Sequence, residues 1–363
     1  MRLIRVVLVV LVVVALMSLA LARPSATTPR AEDKVPMTIT VVPRSESGVF
    51  RDTALVYLDG TIDADAPDRL STALEGIAGQ MAIWLNSPGG NLFAGMELGR
   101  IIRKHRARTH IIDHRTLLPG ECYSACALAF LGGVYRFNDN AARYGVHRAS
   151  LSVRSPRGDV DVGRDLSTAI GTYIREMGAD VRLLDLWMKA GPDEMYVLTQ
   201  QQMKDLRVAD NGRKPPTWSL VTTPRGRVLR GQQATTDGAG TVSFSCDDKQ
   251  TLLGSVYEAA GQADAIAAGK WVHLLTIDRH EERPLKELGV SLEGGSIRWR
   301  FMLPPPVVRL AISAKRIGHR MKPSGNRSTS FGYSVDIDAR SAPMVKKFLG
   351  NCLRRQAKYL FPS

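Results

Sequence analysis

Ser124 stands directly before a run of small apolar residues, Ala125 to Leu131, that predicts a helix. A serine at the start of a helix can direct its hydroxyl into the crevice where the preceding strand ends, and the N–H of Ala125 and the positive helix end then face the same point. This arrangement would suit a nucleophile with an anion cradle beside it. Serine is also a favoured helix cap, so the position taken alone is more often structural.

His147 ends the segment Tyr144-Gly145-Val146, which predicts a short strand. Imidazole exchanges a proton near neutral pH, and a serine hydroxyl becomes a strong nucleophile only when an adjacent base removes its proton. His147 is therefore the candidate base for Ser124. Solvated or structural roles fit the remaining histidines, which are His105, His110, His114, His273, His280 and His319.

Gly89 and Gly90 follow Pro88 at the end of the apolar segment Met81 to Leu85. Glycine lets backbone N–H groups come close to a bound group because no side chain blocks the approach. The pair could therefore cradle an anion or an oxyanion. A plain turn is the alternative interpretation.

The elements around these residues alternate between strand and helix patterns from about Thr53 to Asp210, which predicts an α/β domain. Short apolar runs predict strands, and apolar residues at helical spacing predict helices. The predicted strands are Ala54–Leu58, Met81–Leu85, Thr109–Ile112 and Arg143–His147, and the predicted helices are Pro67–Ile77, Leu92–Arg103 and Ser124–Leu131. Ligands bind where such strands end and helices begin.

Taken together, the motifs resemble the ClpP/crotonase superfamily, and specifically ClpP-like serine peptidases. Leu85-Asn86-Ser87-Pro88-Gly89-Gly90, Cys122-Tyr123-Ser124-Ala125-Cys126 and Gly145-Val146-His147 are similar, in order, to the family's oxyanion loop, nucleophile turn and catalytic histidine. The resemblance covers roughly half of the chain. It implies a repeated ββα spiral that hydrolyses peptide bonds, with Ser124 as nucleophile, His147 as base and then acid, and the N–H groups of Gly90 and Ala125 as oxyanion donors.

The acid of the triad departs from the family pattern. The family's Asp precedes a closing segment that resembles Val197 to Asp210, and Met195 lies nearest to that position. Asp193 is the residue we choose, with Glu194 as its neighbour. A solvated carboxylate at a helix start is the alternative for Asp193, and a Ser-His dyad or an inactive site would then remain.

The N-terminal segment has the three parts of a secretory signal peptide. Arg2 and Arg5 precede an apolar run from Val6 to Ala22 that closes with small residues. We expect residues 1–22 to be a signal peptide cleaved after Ala22, with an uncleaved membrane anchor as the alternative. The expected location is the periplasm or the outer face of the bacterial inner membrane, and membrane association through this segment stays open.

The four cysteines form two pairs by position. Export permits disulfides, and a bridge from Cys246 to Cys352 would brace most of the second half of the chain. Cys122 and Cys126 bracket Ser124, where a local bridge and two buried thiols are both compatible with the sequence. A second pair of metal ligands with suitable spacing is missing nearby, so no metal is expected, and no cofactor is expected either.

The net charge of +14 would attract phosphate-rich partners if it were concentrated on one face. Lys and Arg are scattered from Arg23 to Arg355, and no nucleic-acid module is recognisable. A generally basic surface is therefore expected, with a peptide or protein as substrate and no nucleic acid as partner. Homo-oligomerisation stays open.

The expected domains are residues 36–210 for the ClpP-like domain, a linker over residues 211–235 with several Gly and Pro, and a smaller α+β or β-rich domain over residues 236–363. In this last part, Val256 to Ala268 and Met344 to Leu353 look helical. Two functions stay open, an exported serine peptidase and a non-catalytic peptide-binding or envelope scaffold protein. Crotonase-type chemistry on CoA esters is disfavoured by export, and a Ser-Lys dyad by the absence of lysine between Ser124 and His147.

Overall fold

The computed structural model describes residues 35–46, 53–148, 159–259, 266, 269–283, 287–324 and 330–360. The expected signal peptide, residues 1–22, lies outside the described residues. The chain divides into two compact units, Met1–Ala209 and Asp210–Ser363. In the described part of the chain, no helix is long and apolar enough to cross a membrane.

The first unit is a mixed α/β structure with two sheets. Its strands are β1 (Thr38–Val42), β2 (Thr53–Asp59), β3 (Gln80–Asn86), β4 (Arg108–Asp113), β5 (Leu118–Pro119), β6 (Glu121–Tyr123), β7 (Arg136–Phe137), β8 (Arg143–Val146) and β9 (Tyr196–Val197). Its helices are α1 (Ala66–Ala73), α2 (Leu92–Lys104), α3 (Ala125–Leu131), α4 (Asp159–Glu176), α5 (Leu183–Lys189) and α6 (Gln200–Asp205), with a 3₁₀ turn at Arg44–Glu46. The strands and helices expected from the sequence in this unit are confirmed to within a few residues at their ends.

The sheets of this unit bring several strand ends to one edge. The larger sheet has the order β1-β2-β3-β4-β5 with β7 beside β4, and β2, β3, β4 and β7 are parallel. The smaller sheet has the order β6-β8-β9, in which β6 and β8 are parallel. Parallel strands buried on both faces read as continuous apolar runs, as β3 does.

Helix α3 is fixed in the core by its carbonyl groups. All seven of its residues are buried, and the last carbonyls of a helix have no partner inside the helix. Tyr173 Oη donates to the carbonyl of Leu128 at 2.8 Å, and Thr109 Oγ1 donates to that of Phe130 at 2.9 Å. The side chains of Arg103 and Arg136 both donate to the carbonyl of Leu131, at 2.9 and 3.0 Å. These bonds hold the helix, and with it the turn at Ser124, in one position.

The described residues of the second unit form two antiparallel sheets, with helices packed against them. Its strands are β10 (Thr217–Thr223), β11 (Gly226–Thr235), β12 (Gly238–Cys246), β13 (Thr251–Glu258), β14 (Trp271–Ile277), β15 (His280–Glu282), β16 (Glu287–Glu293), β17 (Ser296–Leu303), β18 (Arg316–Pro323) and β19 (Phe331–Asp336), and its helices are α7 (Pro305–Ser313) and α8 (Ala342–Leu360). One sheet has the order β10-β11-β12-β13-β17-β16, and the other has the order β15-β14-β18-β19. This agrees with the α+β or β-rich expectation.

Two expectations about this unit are wrong. Residues 211–235, expected to be a linker, contain β10 and β11, which pair in register from Thr217 with Gln232 to Thr223 with Gly226. The Pro224-Arg225-Gly226 signal marks the turn of this hairpin instead of an interdomain break. The helix expected over residues 256–268 does not begin at Val256, which lies inside β13, between β12 and β17, and residues 260–265, 267 and 268 of this expected helix lie outside the described residues. Buried Leu253 and Tyr257 pack into the core from this strand, which shows that tertiary packing overrides the local pattern.

Candidate functional site

Ser124 occupies a sharp turn from strand β6 to helix α3. Its backbone has φ 54° and ψ −119°, and its amide donates to the carbonyl of Gly145 at 2.9 Å. Such a conformation costs a residue with a side chain about 1–3 kcal/mol, and strained backbone of this kind clusters at active sites. The half-buried Ser124 makes no side-chain capping bond to the helix. The helix-cap interpretation of this serine therefore finds no support in the geometry.

Gly89 lies against the Ser124 turn. Its φ is +101°, and a Cβ placed on it would be 2.7 Å from Ser124 Cβ and 3.2 Å from the amide nitrogen of Ala125. Real Cβ atoms do not come so close, so only glycine allows this approach. The Gly89 amide donates to Ser87 Oγ at 3.1 Å, and the Gly89 carbonyl accepts from the Ile62 amide at 2.7 Å. Both backbone groups of Gly89 thus serve to fix the loop.

Unlike the amide of Gly89, the amides of Gly90 and Ala125 are not hydrogen-bonded to the protein in the part of the chain that the structure describes. Among the described residues, neither N–H donates a hydrogen bond to the protein. Gly90 is exposed with φ +140°, and its backbone is held on the other side by the bridge to Ile62. Ala125 is the first residue of α3, where an N–H has no partner inside the helix. Two unused donors therefore flank the serine turn, at the positions expected for the oxyanion hole.

His147 follows β8, the strand that pairs in parallel with β6. Because Tyr123 is opposite Gly145 in this pair, Ser124 and His147 both leave the carboxyl ends of adjacent strands. The imidazole is half-buried, and its Nδ1 has no hydrogen-bond partner among the described residues. No hydrogen bond joins His147 to Ser124 in the described structure. Catalytic hydrogen bonds are often long before substrate binds.

The surroundings of His147 keep its ring neutral. Burial lowers the pKa of His147 below its ordinary value of 6.5, against the opposing effects of the Pro192 carbonyl and the Asp193 carboxylate. A neutral imidazole at physiological pH is the form that can accept a proton.

Asp193 lies in the exposed turn between α5 and β9, where it acts electrostatically on His147. Its neighbour Glu194 instead accepts from the Gly191 amide at 3.4 Å, and it is not among the described groups that shift the pKa of His147. Met195 packs against Gly145, where an added Cβ would lie 2.8 Å from its sulfur. Of these three residues, Asp193 is the one whose charge acts on the His147 imidazole.

A disulfide encloses the serine. Cys122 and Cys126 are fully buried and bonded, with their Cα atoms 5.2 Å apart. This decides between the local bridge and the two thiols that the sequence left open. The bridge joins β6 to the first turn of α3, so it restrains the turn that carries Ser124.

Sequence reasoning missed two features of this edge. Ser87 is 2% exposed and fixes the glycine loop through its bond to Gly89, although it appeared only as part of a turn motif. Beside it lies a crevice of about 630 Å³ that is lined in part by Asp59, Asn86 and Arg115. Asp59 accepts from Asn86 Nδ2 at 3.0 Å and pairs with Arg115 at 3.3 Å. Polar residues directly after two predicted strands were the available signal for this crevice.

A second serine-histidine pair lies in the second unit. Ser255 and His319 are 2% and 1% exposed, and Ser255 Oγ is 2.9 Å from His319 Nδ1. His319 Nε2 is 2.9 Å from His273 Nδ1, and Tyr333 Oη donates to Ser255 Oγ at 2.9 Å. Burial and the neighbouring His273 lower the pKa of His319 well below its ordinary value. This agrees with the structural role expected for His319.

The expected disulfide between Cys246 and Cys352 is present, with Cα atoms 5.6 Å apart. In the described part of the chain, no three His, Cys, Asp or Glu side chains are grouped so that they could hold a metal ion.

Comparison with protein-family models and with curated proteins finds no match. Comparison with solved structures finds a mutant of the 1510-N membrane-bound stomatin-specific protease, with a TM-score of 0.34 and 18% sequence identity. The similarity covers 42% of this chain and 75% of that chain.

Proposed function

We propose that the protein is an exported serine hydrolase of the ClpP-like type that cleaves peptide bonds. The observation that carries the proposal is the strained Ser124, which stands between two unused amide donors and beside the strand that ends at His147. Backbone strain at a serine is costly, and its coincidence with two amides that donate to no described protein group is expected at a site that stabilises a transition state.

The steps follow from these positions. Ser124 Oγ attacks the carbonyl carbon of a peptide bond while His147 accepts the hydroxyl proton. The N–H groups of Gly90 and Ala125 bind the resulting oxyanion, and the positive end of α3 adds to the attraction. His147 then gives its proton to the leaving amine, which leaves an acyl-serine. In the second half, His147 removes a proton from water, the hydroxide attacks the acyl carbonyl carbon, and His147 returns the proton to Ser124 Oγ as the carboxylic acid is released.

Asp193 serves this cycle as a positioning residue. Its negative charge favours the imidazolium form of His147, which exists only while the proton is held. The site needs no metal for any of these steps. Two disulfides are typical of proteins from oxidising compartments and support export to the periplasm or the outer face of the bacterial inner membrane.

A non-catalytic peptide-binding or scaffold protein is the second candidate. It is favoured by the missing hydrogen bond between Ser124 and His147 in the described structure. In that case the two amide donors would hold a peptide carbonyl or carboxylate without reaction.

The test is labelling of the purified protein with a fluorophosphonate, which reacts only with activated serines. We expect labelling of the wild type, complete loss in Ser124→Ala, and a fall of at least about 10⁴-fold in His147→Ala. Ser219→Ala is the matched control, because this serine is exposed on β10 of the second unit. A folded wild type that is not labelled would refute the hydrolase and leave the binding protein.

A further inference from the structure

The charge of the chain is concentrated in its second unit. Residues 210–363 contain 24 Lys and Arg against 13 Asp and Glu, a net charge of +11 out of +14 for the whole chain. Lys and Arg are spread along the whole sequence, so the difference in net charge between the two units becomes visible only when each unit is counted separately. A surplus of this size in one compact unit attracts anionic partners.

Part of this charge surrounds a concavity on the outer face of the six-stranded sheet. We call it the arginine trough, and its rims carry Arg230 on β11 and Arg298 and Arg300 on β17. Its volume is about 730 Å³. The floor consists of small or polar side chains, which are Gln232, Thr241, Ser243, Gly254 and Val256.

Strand register builds the trough. Arg230 is opposite Ser243, Ser243 is opposite Gly254, and Gly254 is opposite Arg300, so the four residues form one row across β11, β12, β13 and β17. Neighbouring strands are about 4.8 Å apart, which separates the two arginine backbones by about 14 Å. Because the residues between them are small, the floor lies below the ends of the arginine side chains.

The two arginines of this row are unpaired. Among the described residues, neither Arg230 nor Arg300 has a hydrogen bond or an ion pair. Arg298 pairs with Glu293 at 3.2 Å, and both of these side chains are exposed. A guanidinium is planar and carries N–H donors whose spacing matches the two oxygens of a carboxylate. Arg230 and Arg300 therefore offer two guanidinium groups to an acidic ligand in the trough.

We propose that the arginine trough binds an acidic, extended polypeptide segment. Carboxylates four residues apart in an extended chain are separated by about 13 Å, close to the spacing of Arg230 and Arg300. The hydroxyl and amide groups of Gln232, Thr241 and Ser243 can bond to the peptide groups between these carboxylates.

The lining favours a peptide over a nucleic acid. Single-stranded nucleic acids are held by aromatic side chains on which the bases stack, and the residues that line the trough include no aromatic side chain. Glu293 at the rim also repels a polymer in which every unit is negative, whereas a peptide can place a neutral or basic residue there. The site is independent of whether Ser124 reacts.

The test measures binding of a fluorescent peptide of about twelve alternating Glu and Ser residues to the full chain carrying Ser124→Ala, so that no cleavage interferes. Arg230→Gln with Arg300→Gln is expected to weaken binding at least about tenfold. Arg225→Gln with Arg227→Gln is the matched control, because it removes the same charge from exposed positions at the β10–β11 turn, outside the trough. The control is expected to change affinity less than about twofold.

A second variant keeps the arginines of the trough and fills the space between them with a larger side chain. Ser243→Tyr is expected to weaken peptide binding as the arginine variant does, since its ring would occupy the space between the rims. Absence of saturable peptide binding would overturn the proposal, as would equal losses in the trough and control variants. An oligothymidylate of the same length that binds more tightly than the peptide, and is lost with the trough arginines, would assign the trough to nucleic acid instead.

Discussion

Among the described residues, a serine-histidine pair lies in each unit, and the two pairs differ in how far their hydrogen-bonding groups are used. Ser255 and His319 are buried, bonded to each other and continued by His273 and Tyr333. Ser124 and His147 are half-buried and, in the described structure, not bonded to each other. The buried pair satisfies its polar groups inside the core, whereas among the described residues His147 Nδ1 has no hydrogen-bond partner.

A short distance between the two side chains does not by itself distinguish a reactive serine-histidine pair from a structural one. A short distance between serine and histidine is also what a stable core requires, because buried polar groups must be bonded. Strain at the serine, together with donors left unused beside it, has no such structural explanation. Backbone strain at the serine and unused hydrogen-bond donors beside it are therefore more informative than the distance between the two side chains.

The largest expected effect tests the close approach of the glycine loop. Gly89→Ala would place a Cβ 2.7 Å from Ser124 Cβ, so the loop must shift, and with it the donor at Gly90. We expect the rate of fluorophosphonate labelling to fall about 10³-fold. Gly76→Ala is the control, because Gly76 has φ +76° and open space around it. If Gly89→Ala and Gly76→Ala were both labelled at the wild-type rate, the close approach of Gly89 to Ser124 would not be needed for the reactivity of Ser124.

A second prediction concerns stability, where the two serines should act in opposite directions. Ser255→Ala leaves the buried His319 Nδ1 without its partner, whereas Tyr333 keeps its bond to the Thr241 carbonyl, and the variant should lower the free energy of unfolding of the second unit by about 1–3 kcal/mol. Ser124→Gly relieves the backbone strain by removing the side chain, and it should raise the free energy of unfolding of the first unit by about 1 kcal/mol. Labelling should persist in the first variant and vanish in the second.

Urea denaturation followed by peptide-resolved hydrogen exchange measures the two units separately. Ser219→Ala, an exposed strand position, should change neither unit by more than about 0.5 kcal/mol. A loss of stability in Ser124→Gly would show that Ser124 is bonded in a way that resembles Ser255.

The smallest expected effect is on pH dependence. His147 accepts a proton only when neutral, so the labelling rate should rise with pH, and because burial lowers the pKa of His147 the midpoint should lie below 6.5. Asp193→Asn removes a charge that raises this pKa and should move the midpoint to lower pH by less than about one unit. Glu194→Gln is the matched control and should leave the midpoint in place. A shift in Glu194→Gln alone would assign the acid to Glu194.

The sequence predicted the first unit well because its signals are local. The serine turn, the glycine loop and His147 each lie within a few residues of a strand end, and the apolar runs of β2 and β3 are continuous. The strain at Ser124 could not be predicted, since it depends on how β6, β8 and the glycine loop meet.

The second unit was harder to predict because its features arise from pairing between distant strands. The turn residues around Pro224 have the composition of a linker until β10 and β11 pair across them. Likewise, Arg230 and Arg300 are far apart in sequence and become one site only through the register of four strands. The structural role of His319 was expected, but its bond to Ser255 was not.

The bond between Cys246 and Cys352 spans 106 positions of the chain, from the end of β12 to the buried face of α8. Any single cut between these two cysteines leaves both pieces covalently joined. A nicked molecule therefore runs as one band on a gel without reductant and as two bands with it. Because the fragments cannot diffuse apart, this one bond keeps a chain that has been cut between the two cysteines together as one molecule.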